Sequence, residues 1–338
     1  MKSSIKISAL LFGAFLLTQC KNTTKESSET TQSKHEVITV KAPAFDAAAA
    51  YSKVKTQVDF GPRVPNTSSH SACGDWIVNQ LKESGLEVTE QNFEGVSVKF
   101  KSVPGRNIIG SYNASASKRI VLAAHWDSRE IADQDDERTE EPIPGANDGG
   151  SGVAVLLQMA EEISKSETKP NIGIDFIFFD LEDGGDPANG PSSSRNDYGG
   201  YLMGSEHWAK NPHKEGYSAF YGVLVDMVGA KGATFMKDKA SMQVAPSVVN
   251  KIWNIASAKG YSGYFISQNG GDILDDHIPV IIHRKIPMID IIDQKMGDQT
   301  FFDHWHTHDD NMEAIDENTL KAVGETLLQT VYQENGVI

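Results

Sequence analysis

From about Pro43 onward, two spacings of apolar residues alternate along the chain. Four stretches carry short continuous apolar runs: "RIVLAAHWDS" (119–128), "IGIDFIFFD" (172–180), "YGVLVDMVG" (221–229) and "PMIDII" (287–292). Runs of that length suit strands buried on both faces. "LEVTEQNF" (86–93) and "NIIGSY" (107–112) predict two further strands. Between these runs the apolar positions fall at helical intervals. Ala72, Trp76, Ile77 and Leu81 do so in 70–85, which stops at Gly85. Val153, Leu156, Leu157, Ala160 and Ile163 form a stripe after Gly149, and Leu320, Val323 and Leu327 another within 316–332. Strands separated by helices predict βαβ units. The expected fold is α/β, a three-layer α/β/α sandwich around a mostly parallel central sheet. With no Pro/Ser-rich break or internal repeat, residues 43–338 read as one domain.

The first 42 residues depart from that alternation. Lys2 and Lys6 precede an apolar run from Ile7 to Leu17, which Thr18, Gln19 and Cys20 follow. A basic start before a short apolar core predicts a secretory signal peptide, 1–20, too short for an ordinary spanning helix. Its end resembles a bacterial lipobox, which implies an exported, periplasmic protein anchored by a lipid on Cys20. Gln19 is unusual directly before such a cysteine, and plain cleavage with secretion is the alternative. Residues 21–42 are polar and read as a flexible tether. Cys73 is the only other cysteine, so no internal disulfide framework is expected. A net charge of −15 argues against nucleic acid, leaving the lipid anchor as the one expected link to a membrane. A monomer is the simplest expectation.

Charged residues gather where the predicted strands end. His125 and Asp127 close one strand, Glu182 and Asp183 follow a second, and Asp226 closes a third. Asp148 lies in the loop entering a helix, and His306 in the loop before the last one. Open parallel sheets bind ligands beyond the carboxyl ends of their strands. A single strand-end aspartate is ordinarily a cap, but five segments delivering acids and histidines to one edge are not. Imidazole nitrogen with carboxylate oxygen suits a catalytic zinc with three protein ligands and an open position. Adjacent acids at 182 and 183 leave a strand in different directions, so one can bind metal while the other moves protons.

The order of "AAHWDS", "GANDGGSG", "FFDLED", "LVDMVGA" and "HWHTHDDN" resembles the zinc aminopeptidase superfamily with co-catalytic metals. Within it, "DDHIP" (275–279) and "WHTHDDN" (305–311) resemble the animal-type glutaminyl-peptide cyclotransferases and their bacterial relatives. The resemblance implies one zinc per chain, held by Asp148, Asp183 and His306. It implies Glu182 as general acid/base, Asp226 and Asp275 as a hydrogen-bonded acid pair beside it, and Trp305 as a pocket wall, with Phe301 and Ile273 as further lining. The implied substrates are peptides and proteins with N-terminal glutamine, converted to pyroglutamate with release of ammonia. Two departures stand out: animal cyclases have glutamate where Asp183 stands, and the tryptophan they carry after the acid pair is missing from "GGDPANGPSSSRNDYGG" (184–200).

The alternative is a two-zinc aminopeptidase, with His125 and Asp226 as second-metal ligands and Asp148 bridging. A third reading, an inactive binding module, is disfavoured by the presence of Glu182 and His306. In "FFDHWHTHDDN" (301–311), His306 alone is expected on metal, with His304 and His308 hydrogen-bonded or exposed. Asp309 and Asp310 are expected to brace that loop and the nearby helix start. The loop "EIADQDDERTEE" (130–141) reads as a solvated excursion, or else as an acidic flap at the mouth of the site.

Overall fold

The computed structural model describes residues 40–190, 198–295 and 301–334. The expected leader and residues 21–39 of the tether lie outside these. Eight strands are described: β1 (Glu87–Gly95), β2 (Val103–Tyr112), β3 (Arg119–His125), β4 (Gly173–Phe179), β5 (Gly222–Asp226), β6 (Phe235–Lys237), β7 (Phe265–Asn269) and β8 (Met288–Ile292). Six of them form the central sheet in the order β1-β2-β4-β3-β5-β8. The four strands β4, β3, β5 and β8 are parallel, and β1 and β2 add antiparallel pairings at one edge. The sheet is therefore mostly parallel, as the apolar runs predict.

The helices are α1 (Ala47–Asp59), α2 (Ser68–Glu83), α3 (Gly150–Lys165), α4 (Met203–Lys210), α5 (Lys239–Val244), α6 (Pro246–Ala258), the single turn α7 (His277–Pro279) and α8 (Glu317–Gln333). A π-helical turn, Val280–Arg284, continues α7. Side chains on a strand alternate between faces, and the register turns that alternation into rows across the sheet. Phe176, Leu122, Val223 and Ile289 lie side by side and join the large core beneath α1, α2, α3, α6 and α8. Ile177, Ala123 and Leu224 make the opposite row, packed against Trp208 and Ala209 of α4 and Val280. The next position in that second row is Asp290, a buried carboxylate in an otherwise apolar row.

Helix α3 departs from a simple stripe, because every residue from Gly150 to Ala160 is buried. It runs between the sheet and the helices α1, α2 and α8, and presses closely on β5. A Cβ on Gly152 would lie 2.3 Å from the carbonyl oxygen of Val225. That close approach carries the α3 N-terminus, with Asp148 just ahead of it, against the ends of β3 and β5.

The thinner second layer holds a buried polar group. Asp175 on β4 accepts from Arg119 Nη2 at 2.9 Å and Ser111 Oγ at 2.6 Å. Beside it, Trp208 Nε1–H donates to His213 Nδ1 at 3.1 Å, so that ring nitrogen carries no proton. Burial lowers the His213 pKa to about 4, against the partial opposition of Asp175. A histidine with a folded pKa below its unfolded value stabilises fully above about pH 6.5, and this contribution fades as the pH falls toward 4. His213→Gln is therefore expected to flatten the pH dependence of the unfolding free energy in that window, measured by urea titration. His277, lowered to about 4 by its own burial, should retain part of the slope.

Candidate metal centre

The site forms where β3, β4 and β5 end. Three residues here adopt left-handed backbone although none is glycine: Leu181 (φ 56°), Met227 (φ 49°) and His306 (φ 57°). Such positions carry strain on the order of 1–3 kcal/mol each. Leu181 turns the chain just after β4 so that Glu182 and Asp183 face the cleft. Met227 does the same after Asp226. The turns are held by carboxylates: Asp127 accepts from the Glu182 and Asp183 N–H groups, both at 3.2 Å. Asp310 likewise accepts from the N–H groups of Asn147 at 2.7 Å and Asp148 at 3.0 Å.

Two triplets of metal-ligating atoms result, His125–Asp148–Asp226 and Asp148–Asp183–His306, both buried and sharing Asp148. In the second, His306 Nε2 lies 3.1 Å from Asp183 Oδ1 and 3.8 Å from Asp148 Oδ2. Its other ring nitrogen, Nδ1, is 2.9 Å from Asp133 Oδ1, which leaves Nε2 to face the two acids. Metal-binding histidines usually have such a carboxylate behind them. Asp148 Oδ2 and Asp183 Oδ2 are buried without a hydrogen-bond partner. A buried carboxylate oxygen without a donor is unfavourable, and two of them beside an imidazole nitrogen fit a divalent cation.

The electrostatics agree. Burial raises the Asp148 pKa to about 6, and the charge of Asp183 adds to the effect. For Asp183 burial alone would raise the pKa, but His306 and Arg129 hold it down to about 2. Burial would lower the His306 pKa, but Asp183 and Asp133 push it up to about 9. The centre attracts positive charge, as a proton on Nε2 or as a metal ion in its place.

A cleft of about 510 Å³ opens over this triplet. Trp305, Phe301 and Ile273, the expected pocket residues, line it. Trp305 stacks on His306 with ring centroids 3.8 Å apart, and Phe301 packs against Trp305 at 5.1 Å. Glu182 is half-buried in the lining, its pKa raised well above the usual range by burial and by Asp183. Asp226 and Asp275 also line the cleft. Burial and the neighbouring charge of Asp226 raise the Asp275 pKa well above its ordinary value. One Asp275 oxygen accepts from the Asp276 N–H at 2.5 Å, and the other has no hydrogen-bond partner. Behind this pair, Asp276, His277 and Asp290 are buried, and their side-chain polar atoms carry no hydrogen-bond partner among the described residues.

The sequence model of peptidase family M28 matches residues 107–331, a span that contains both triplets and the cleft. The chain belongs to peptidase family M28. Among M28-like structures, the glutaminyl cyclase of Bacteroides thetaiotaomicron, solved with N-acetylhistamine, is 43% identical, covers 86% of this chain and 99% of its own, and superposes with a TM-score of 0.81. A Zn-dependent exopeptidase from Parabacteroides distasonis is 46% identical with the same coverages and TM-score. The glutaminyl-peptide cyclotransferase of Drosophila melanogaster is 28% identical over 277 residues, 75% of this chain and 72% of that protein. These relatives imply zinc as the M28 metal, while cyclase and peptidase names both occur among them.

Two expectations are corrected. The loop 130–141 is a solvated excursion only in its second half, 136–141, which is exposed: Glu130, Ile131 and Ala132 are buried, Asp133 reaches His306, and Asp135 bonds His308 Nδ1 at 2.7 Å. A run of seven acids conceals this, because nothing in its composition marks which acid faces inward. Asp310 braces the turn before α3 and not the start of α8, which Asp316 caps. Arg129 and Asp133 are the working residues that sequence reasoning passes over, though both lie within eight positions of His125. Asp127→Ala strands two buried N–H groups in this M28 centre. It is expected to destabilise the metal-free protein on the order of 2–4 kcal/mol by denaturant unfolding, with Asp127→Asn intermediate.

Proposed function

We infer that the chain is a zinc-dependent glutaminyl cyclase acting on peptides and proteins with N-terminal glutamine. The observation that carries this reading is Asp275, buried in the cleft against Asp226. A peptidase needs Asp226 as a ligand for a second zinc. Here the charge of a neighbouring carboxylate competes for it, and the same repulsion helps to raise the Asp275 pKa. We assign one zinc per chain to Asp148, Asp183 and His306. When bound, zinc supplies a Lewis acid for the side-chain amide carbonyl of the substrate. Trp305, Phe301 and Ile273 hold the substrate's first residue in a largely apolar space. Glu182 takes a proton from the α-amine as that amine attacks the amide carbon within the same residue. It then gives the proton to the departing nitrogen, so that ammonia leaves and a five-membered lactam remains. Its raised pKa suits both steps, since a group that releases a proton must also hold one near neutral pH. Intramolecular attack already places the nucleophile, so no activated water is needed.

A second reading, a two-zinc aminopeptidase, is favoured by the His125–Asp148–Asp226 triplet. Zinc content per chain, with parallel assays on a Gln-initiated peptide and a leucine anilide, separates the two. One zinc with ammonia release from the glutamine peptide is expected; two zincs with anilide cleavage would overturn the cyclase. Glu182→Gln should retain zinc and lose turnover by about 10²–10⁴-fold, and retained turnover removes Glu182 from its role. Export through the 1–20 leader and a lipid on Cys20, supported by the sequence of the leader alone, complete the proposal, with a monomer as the simplest state. Among the described residues no helix is long and apolar enough to cross a membrane.

A further inference from the structure

Arg129 is fully buried, and no step of the reaction uses it. Its guanidinium reaches three parts of the centre at once. Nη1 donates to the Asp183 carbonyl oxygen at 2.6 Å and lies 3.5 Å from Asp183 Oδ1. Nε donates at 2.8 Å to Asp133 Oδ1, the oxygen that also contacts His306 Nδ1. Nη2 donates to the Tyr201 hydroxyl at 3.1 Å, and the guanidinium carbon lies 5.2 Å from the Tyr201 ring centroid. Tyr201 lines the cleft and follows directly in sequence on 184–200, which contains no tryptophan. Its ring lies flat on Gly185, where a Cβ would come within 1.9 Å of a ring carbon. The ring is thus pinned from below by a glycine and at its far end by a cation.

We propose that Arg129 is a positioning residue that locks Asp183, the Asp133–His306 pair and the Tyr201 wall into one rigid frame, which sets both the grip on the metal and the width of the cleft. This rests on the reading of Asp183 and His306 as zinc ligands in a cyclase. A planar fork can serve three directions together, and lysine, a point charge on a flexible stem, cannot. Supports behind metal ligands typically carry 10–100-fold in affinity. A short aspartate arm at 183 has less reach to correct its own position, so its anchoring matters more.

The test uses the full chain, with zinc affinity from chelator competition and steady-state kinetics on a Gln-initiated peptide. Arg129→Lys is expected to weaken zinc binding about 10–100-fold. Tyr201→Phe should leave zinc affinity unchanged and raise KM about threefold to tenfold, with kcat nearly constant. Adding Tyr201→Phe to Arg129→Lys should raise KM no further, since both cut the same link. A merely structural arginine would instead lower the Tm of the metal-free protein and leave zinc affinity and KM alone, which overturns the proposal. Should Arg129→Lys fail to fold, Tyr201→Phe and Asp133→Asn cut the frame from its two ends. Unchanged KM in the first with unchanged zinc affinity in the second is equally fatal. If the wild-type protein neither holds zinc nor cyclises glutamine, the functional reading fails first, and that outcome is seen before any variant is compared.

Discussion

Asp148 and Asp183 are buried carboxylates held within reach of one another, and two such charges do not stay together in a protein interior without a cation between them. The surrounding structure answers that constraint. Asp310 and Asp127 fix the two backbones with paired N–H bonds. Arg129 approaches Asp183 from the protein side and His306 from the cleft side. Each partner removes a degree of freedom that the carboxylates would otherwise use to move apart. The left-handed turns at Leu181 and His306 persist because these bonds over-determine them.

The fold supplies the meeting place. Parallel strands end on the same edge, so β3, β4 and β5 deliver His125, the 182–183 pair and Asp226 to one rim. Glycine at 152 lets α3 sink onto β5, which brings Asp148 to that rim as well. His306 arrives from the loop ahead of α8. The chemistry therefore depends on close packing some distance from any ligand, and a single methyl group at 152 would be felt at the centre.

Much of this was readable in the sequence. The four parallel strands are continuous apolar runs, and α2, α3 and α8 show clean helical intervals. The short strands β6 and β7 and the helix α5 were not read, because three to six residues give too little periodicity to register. Asp148, Glu182, Asp183, Asp226, Asp275 and His306, which strand ends and a family resemblance mark, all line the one cleft. Arg129 and Asp133 were not marked, because their roles lie in what they touch across the chain, and a basic residue beside an acidic loop looks like surface. Asp290 was hidden differently: within "PMIDII" it reads as a lone exception in a buried strand, and only the register shows it facing His277 and the acids behind the cleft.

The two triplets share Asp148, yet their histidines are prepared differently. His306 commits Nδ1 to Asp133 at 2.9 Å, which fixes the tautomer and leaves a lone pair on Nε2 for a metal. His125 has no comparable support: its Nδ1 lies 3.5 Å from Asp127 and makes no hydrogen bond. Its Nε2 instead sits 3.0 Å from Asp148 and 3.2 Å from Asp226, between two acids. Burial opposes a charge on His125, but Asp226 and its neighbours raise its pKa well above the ordinary value, as Asp183 and Asp133 do for His306. Ligand count treats the triplets as equals, whereas the hydrogen bonds behind each ring do not: a carboxylate orients His306 toward its two acids, and none orients His125.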